Sequence, residues 1–303
     1  MKKKNLTVTI GIPAYNEEKN IGNLLKSLLK QKEKTMEIKE IIVVSDGSTD
    51  NTVTIIRSFK DTRIHCIDGH LRIGQTSRLN QLFNEVKTDI LVVIDADTIC
   101  KDLLTIERLA SGFKKNKNVG LVAGNTQPLP ARTFIEKAVN NYIYARNSIS
   151  DKFDFGKTGY STHGFLAYSK KILENFHIPP DVLSGDAFSY LTCITSDFKH
   201  VYMENAIVYY RMAGSASDYF RQMTRYITGG YQLQGYFDKN LVINAIKLPL
   251  HVNLQIMMYQ LRKNPIGYII LKLLTLACFF YCKRKCKSYN VTWSPIATSK
   301  SLT

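Results

Sequence analysis

Two aspartates one residue apart end an apolar run: in "LVVIDADTIC", Asp95 and Asp97 follow Leu91 to Ile94. On an extended chain residues i and i+2 face the same way, so both carboxylates point to one place. Hard oxygen ligands so arranged suit a divalent ion such as Mg2+ or Mn2+, which takes one or two carboxylates together with substrate phosphates. A plainer reading makes one of the pair a cap for a helix starting near Lys101, and D-x-D alone does not decide.

The elements that must position this pair are legible around it. "TVTIGIP", "EIIVVSD", "IHCID" and "DILVVID" are short β-branched runs bounded by polar or Gly-rich turns. Between the first two, Ile21, Leu24, Leu25, Leu28 and Leu29 recur at helical spacing. Strands alternating with amphipathic helices predict an α/β fold with a doubly wound, mainly parallel sheet. In such sheets ligands bind beyond the carboxyl ends of the strands, at a topological switch point. "PAYNE", "SDGSTD" and "DAD" each follow a strand, so all three belong on one edge. A helix is predicted around Phe134 to Ser150, and beyond Arg211 the chain turns helical and increasingly apolar. This divides it into a catalytic unit, 1–238, and a helical, membrane-associated region, 239–303.

A formal net charge of +16 on 303 residues points to an anionic partner: a nucleic acid, a phosphorylated small molecule or an anionic membrane surface. Nucleic acid is disfavoured, because the basic residues gather near the apolar C-terminal run and lack aromatic interleaving. The opening "MKKKNLTVTIGIPAYN" goes straight into a strand pattern without a signal-peptide core, so the catalytic part is expected in the cytosol. Six cysteines without paired metal spacing fit a reducing compartment. Cys278, Cys282 and Cys286 share one helix face, as small apolar side chains on a packed helix would.

"PIGYIILKLLTLACFFYC", Pro265 to Cys282, is nearly long enough to cross a bilayer but contains Lys272 and runs into "KRKCK". A crossing would place those cations opposite the catalytic unit, against the positive-inside tendency. Monotopic attachment beside the amphipathic "NAIKLPLHVNLQIMMYQL" avoids that conflict, and a single C-terminal membrane helix is the other form. The expected location is the cytoplasmic face of a membrane. Two core helices packed on the domain are the soluble alternative.

In order along the chain, "VTIGIPAYNEEKNI", "IIVVSDGSTDNT", "LRIGQTSRLNQ" and "VVIDADT" resemble family 2 glycosyltransferases, whose GT-A fold binds a sugar nucleotide. "HGFLAYSKK" looks like the family's acceptor-side loop, and "SGDAF" sits where the family has its catalytic carboxylate. "FRQMTRYITGG" resembles the Q-x-x-R-W signature of membrane-bound polysaccharide synthases. The resemblance runs from Thr7 to about Gln234. An apolar strand entering D-x-D-x-T also resembles haloacid-dehalogenase-type phosphatases, with Asp95 as nucleophile and Asp97 as acid/base. Those enzymes, however, have the motif on their opening strand, and here it follows the fourth.

What the resemblance implies can be assigned residue by residue. Pro13, Tyr15 and Glu17 should contact the nucleotide, with Tyr15 stacking on a base and Glu17 opening the first helix. Asp46 should accept from a base N–H or a ribose hydroxyl, although Ser45-Asp46 stands where the family usually has two aspartates. Asp50 reads as a helix cap. Gly74-Gln75 replaces the family's Gly-Lys, leaving Arg72 or Arg78 to provide a cation, and Asn80 helps shape the site. Asp95 and Asp97 hold Mg2+ or Mn2+, and Asp95 also lies at the donor. Asp186 is the general base that removes the acceptor hydroxyl's proton. Arg225 stabilises the departing diphosphate, while Gln222 and Tyr226 orient donor and acceptor, Tyr226 replacing the family's Trp. His163 reads as structural, and Cys193 and His200 have no visible role.

The expected protein is therefore an inverting, metal-dependent hexosyl- or N-acetylhexosaminyl-transferase. It takes a UDP-sugar donor and a lipid-linked or membrane-presented glycan acceptor. At most one plausible crossing argues against a complete polymer channel from one copy. A phosphatase using Asp95 and a catalytically silent sugar-nucleotide-binding scaffold are the rivals. Sugar, acceptor, linkage and oligomeric state do not follow from these residues.

Overall fold

The computed structural model describes residues 5–149, 156, 158–285, 292, 296, 298 and 300–302. Strand β1 (Leu6–Ala14) leads through helix α1 (Ile21–Leu29) to β2 (Met36–Asp46). Helix α2 (Thr52–Ser58), β3 (Ile64–Gly69), α3 (Gln75–Glu85) and β4 (Ile90–Ile94) follow. β1 pairs in parallel with both β2 and β4, and β2 with β3. The spatial order β3-β2-β1-β4 reverses direction between β1 and β4. The predicted doubly wound half, with its switch point, is therefore present.

The alternation inside these strands explains why both faces are covered. Ile41 and Val43 of β2, with Val92 and Ile94 of β4, pack under α1 and its neighbours. Ile42, Val44, Leu91 and Val93 point the other way, against Leu79, Leu82 and Phe83 of α3. A strand apolar at every position can be satisfied only between two helical layers. Each such side chain withdrawn from water contributes about 1.5–3 kcal/mol before conformational entropy is counted.

The second half of the sheet is mixed. After β5 (Thr98–Cys100) and α4 (Thr105–Ser111), β6 (Val119–Pro128) runs to α5 (Phe134–Asn147). Next come β7 (Phe165–Ser169), the single turn α6 (Lys170–Leu173), α7 (Gly185–Ile194) and β8 (Lys199–Tyr210). β7 is antiparallel to both β4 and β6, β8 is parallel to β6, and β5 is antiparallel to β8. One sheet, β3-β2-β1-β4-β7-β6-β8-β5, results.

Helices α8 (Ala216–Leu233), α9 (Lys239–Ile246), α10 (Leu250–Lys263) and α11 (Pro265–Lys285) follow the sheet. α11 packs along α8 and α5, and α10 on α5. Cys278 and Cys282 are buried facing Phe220 and Thr224 of α8, as expected of small apolar side chains, and Cys286 lies outside the described residues. Among the described residues two segments, 239–263 and 265–284, are long and apolar enough to cross a membrane, one more than the sequence reading anticipated. The first is broken between α9 and α10, where Pro249 cannot continue a helix. Only 28% and 22% of their apolar windows are buried, too little for core helices.

Candidate functional site

The carboxyl ends of β1, β2 and β4 bring "PAYNE", "SDGSTD" and "DAD" to one edge, as their positions after strands require. Pro13 lies in β1 opposite Val44, beyond the last residue paired with β4, so its missing N–H costs the β4 side of the ladder nothing. Asn16 adopts φ 52°, and its side chain accepts from Thr49 N–H while its own N–H donates to Ser48 Oγ. The turn after β1 is thereby pinned to the turn after β2. Tyr15 is half-buried, with the Arg72 guanidinium 3.9 Å above its ring.

Glu17 differs from expectation. α1 begins only at Ile21, so Glu17 stands in the preceding turn and not in the helix. Its side chain accepts from Asn20 Nδ2 at 2.9 Å and pairs with Lys300. Burial, and then the neighbouring Asp97, push its carboxyl up to about 7, with Lys300 pulling the other way.

Asp46 is turned inward. Oδ1 accepts from Ile73 N–H (2.8 Å) and Arg78 Nε (3.0 Å), and Oδ2 from Gly74 N–H (3.1 Å). The carboxylate therefore shapes the 71–74 loop, and Arg78, buried against it, is its counter-ion and not the donor cation. Asn80 is a second correction. Its amide donates to Ile178 O and accepts from Ile178 N–H at 2.7 and 3.0 Å, so both polar ends tie α3 to that segment and neither faces the site. Asp50 stands one residue before Asn51, the N-cap of α2, and accepts from Thr52 N–H at the helix start and from Glu18 N–H, so it ties the two turns together instead of occupying the cap position expected of it.

Asp95 and Asp97 straddle the turn beyond β4. The cap reading for them fails, because the next helix starts at Thr105 and Asp102 bonds Leu104 N–H there. Asp95 N–H donates to Gly164 O at 2.9 Å, and Gly164 N–H donates to Asp186 Oδ2 at 2.9 Å. Gln75 Nε2 donates to Asp95 Oδ1 at 3.2 Å. Gly164 has φ +57°, and a Cβ there would collide with the Asp95 carboxylate. Asp186 stands in the first turn of α7, where the helix dipole favours its negative form.

Dense surrounding protein raises all three carboxyls above their ordinary range. For Asp95 burial acts first, then Asp186 and Asp97; for Asp97 and Asp186 burial dominates. Two cations oppose it. The Arg225 charge lowers all three, and Lys300 lowers Asp97. Arg225 comes from α8, where Arg221 is the exposed one, paired with Asp218 at 2.6 Å. Gln222 Nε2 donates to Tyr226 Oη at 3.3 Å, and the Tyr226 ring lies 5.7 Å from His163. Burial and the charges of Arg146 and Arg225 push His163 down to about 4, so it is neutral at physiological pH. The site thus unites Tyr15, Glu17, Asp95, Asp97, Asp186, Gln222, Arg225 and Tyr226. Sequence reasoning missed Lys300 and the placement of His163, and Lys300 stands 283 residues from Glu17 with no motif to mark it.

Dehydrated carboxylates suit a divalent cation, which would favour the charged forms that burial, and at Asp95 also the charges of Asp186 and Asp97, now disfavour. Among the described residues no group of three His, Cys, Asp or Glu forms a ready cage. That accords with an ion taking most of its ligands from substrate and water.

The model of glycosyl transferase family 2 matches residues 9–176, more than half of the chain. Among curated proteins, the chain is 32% identical over 115 residues to poly-beta-1,6-N-acetyl-D-glucosamine synthase of Staphylococcus epidermidis, covering 38% of this chain and 27% of that protein. The chain thus spans about a quarter of the length of such relatives. It is 26% identical over 211 residues to the O-antigen chain rhamnosyltransferase RfbN of Salmonella typhimurium, covering 67% and 66%. Among solved structures, the mannosyltransferase PcManGT from Pyrobaculum calidifontis, in complex with GDP-Man and Mn2+, superposes with a TM-score of 0.60 at 16% identity, over 93% of this chain and 76% of that one. S. aureus TarS 1-349 in complex with UDP-GlcNAc gives 0.52 at 16%, over 86% and 73%. Those likenesses establish the GT-A fold, and with the match over residues 9–176 the chain belongs to glycosyl transferase family 2.

Proposed function

We propose that this glycosyltransferase moves a hexosyl or N-acetylhexosaminyl unit, with inversion, from a UDP-sugar to a hydroxyl of a lipid-linked or membrane-presented glycan. The observation behind this reading is the convergence of Asp95, Asp97, Asp186 and the Arg225 charge beyond β4. Asp186 takes the acceptor hydroxyl's proton as the new bond to the anomeric carbon forms and the bond to the diphosphate breaks on the opposite side. Its raised basicity strengthens it for that task. Arg225 meets the negative charge that grows on the leaving diphosphate. Tyr15 offers the base a face already flanked by the Arg72 guanidinium. Asp95 and Asp97 would hold a Mg2+ or Mn2+ ion, which supplies positive charge to the donor's phosphates. Relatives named as a polysaccharide synthase and an O-antigen chain transferase, and neighbours holding GDP-Man with Mn2+ or UDP-GlcNAc, support the donor class and the metal.

In this reading 1–238 is the catalytic unit, and the α9–α11 helices lie monotopically on the anionic cytoplasmic face of a membrane. Ile266, Ile269, Leu273, Leu276 and Phe280 form an exposed stripe at three- and four-residue spacing on α11, flanked by exposed Lys283 and Arg284.

Calorimetric titration with nucleotides and UDP-sugars, with and without Mn2+, tests the donor assignment. Metal-dependent UDP binding that Asp95→Asn loses is the expected result. Asp186→Asn should keep donor binding and abolish transfer; normal turnover in that variant removes the base assignment, and no nucleotide binding at all leaves the donor reading without foundation.

A further inference from the structure

Residues 296, 298 and 300–302 lie against the catalytic unit, the last of them beside the turn after β1. Ile296 is buried among Ala138, Val139, Met212 and Leu271. Thr298 N–H and Oγ1 both reach Asp218 Oδ2, and Gly214 N–H donates to Thr298 Oγ1 at 2.8 Å. Arg211, itself paired with buried Glu136 at 2.7 Å, donates to Ser301 O (2.8 Å) and Leu302 O (3.2 Å), and Leu302 N–H donates to Asn20 Oδ1. Four separate elements of the catalytic unit thus seat a few residues. Between these anchors the Lys300 ammonium reaches Tyr15 O (2.9 Å) and Glu17 Oε1, and its charge acts on Asp97.

We propose that Lys300 is a donor-site residue: with Thr298, Ser301 and Leu302 held as above, its ammonium lies beside the Tyr15–Glu17 turn, where it binds the diphosphate of the nucleotide sugar; this rests on the donor reading above. The chemistry fits the place. Four acidic side chains, Glu17, Asp95, Asp97 and Asp186, share one edge and would repel a diphosphate. Arg225 offsets this near Asp95 and Asp186, and Lys300 offsets it near Glu17 and Asp97. The two cations arrive from different parts of the chain and flank the acids. Gln75, which donates to Asp95, brings no charge to that end of α3. With 23% of its side chain exposed, Lys300 can redirect its ammonium from Glu17 to a phosphate oxygen without unseating its neighbours.

The test uses full-length wild type, Lys300→Met and Lys300→Arg, titrated in Mn2+ with UDP, GDP and dTDP and with the matching nucleosides. Lys300→Met should weaken binding of the preferred diphosphate on the order of tenfold, the loss of one charge-assisted hydrogen bond. Its nucleoside binding should stay unchanged, and Lys300→Arg should recover most of the loss. Unchanged diphosphate affinity overturns the proposal, as does an equal loss for diphosphate and nucleoside, which would make Lys300 a structural tie. If wild type itself binds none of the three diphosphates, the donor reading fails and this assignment with it.

Discussion

Asp95 and Asp186 come from elements 91 residues apart in sequence and are joined through the backbone of one residue: Asp95 donates its N–H to Gly164 O, and Gly164 donates its N–H to Asp186 Oδ2. The spacing between the donor-side carboxylate and the proposed base is therefore set by the backbone at Gly164. That residue sits at φ +57° with no room for a Cβ. Gly164→Ala should leave the protein folded, at a cost of about 1–2 kcal/mol for the left-handed backbone, while displacing Asp95 and lowering kcat by roughly a hundredfold. Turnover and thermal melting on the same preparation separate the two effects. Wild-type kcat in a folded variant would show that the spacing does not matter.

The buried pair Arg78–Asp46 should be far more sensitive than any surface ion pair. With side chains 8% and 7% exposed, it holds the 71–74 loop through three hydrogen bonds to one carboxylate. Arg78→Met leaves that carboxylate buried without its counter-ion, and should cost about 3–5 kcal/mol of stability. Breaking the exposed Arg57–Asp68 pair should cost no more than about 1 kcal/mol. Denaturant titration of both variants gives the comparison directly, and equal losses would mean the loop does not depend on the pair.

The sheet and the carboxylate cluster were legible because strand ends and short motifs are local. Short β-branched runs alternating with amphipathic stretches signalled a parallel sheet between helical layers, and the position of Asp95 and Asp97 just beyond β4 followed from the apolar run that precedes them. Asp186, Glu17 and Arg225 were legible as types on the right segments. What misled was partner choice. Asp46 and Asn80 look available in sequence, yet Arg78 and Ile178 engage them, and these bonds depend on how α3 packs. Lys300 was invisible for the opposite reason: its contact with Glu17 joins residues 283 apart, which no periodicity encodes.

Acidity should couple to metal binding in a defined direction. Glu17 has its carboxyl raised to about 7 from an ordinary 4.5, and Asp95, Asp97 and Asp186 are raised as well. A carboxyl whose folded value exceeds its unfolded value stabilises the fold below the unfolded value, and that stabilisation is lost as pH rises through the folded one. His163 and His200, lowered to about 4, act with the opposite sign in this window, so the comparison is with Glu17→Gln: relative to that variant, the metal-free wild type should lose melting temperature as pH rises from about 4.5 to 7. Asp61, lowered to about 2, does not interfere in this window, since its contribution disappears only in stronger acid. Mn2+ requires the ionised forms, so its stabilising effect should grow over the same interval as protons are displaced. Melting curves at several pH values, with and without saturating Mn2+, check both signs, and a metal effect independent of pH would contradict the carboxylate clamp.

Membrane contact is proposed to reach the site through one helix pair. Leu271, Cys278 and Cys282 face inward from α11, the last two against α8, the helix that presents Arg225, while Ile266 and Leu273 on the outward face are 64% and 62% exposed. Burying each of those two side chains in a lipid interface is worth about 1.5–3 kcal/mol. Replacing both by Glu should therefore lower partitioning onto anionic phosphatidylglycerol vesicles on the order of a hundredfold. Because the stripe points away from α8, nucleotide affinity in solution should not change. Co-sedimentation with vesicles reads the first effect and calorimetry the second. Undiminished sedimentation would refute the lipid face, whereas loss of nucleotide binding would mean the substitutions had disturbed α8. If sedimentation alone falls, transfer to a membrane-presented acceptor should fall with it while binding of the soluble donor persists, because only the acceptor depends on the bilayer for its encounter with Asp186.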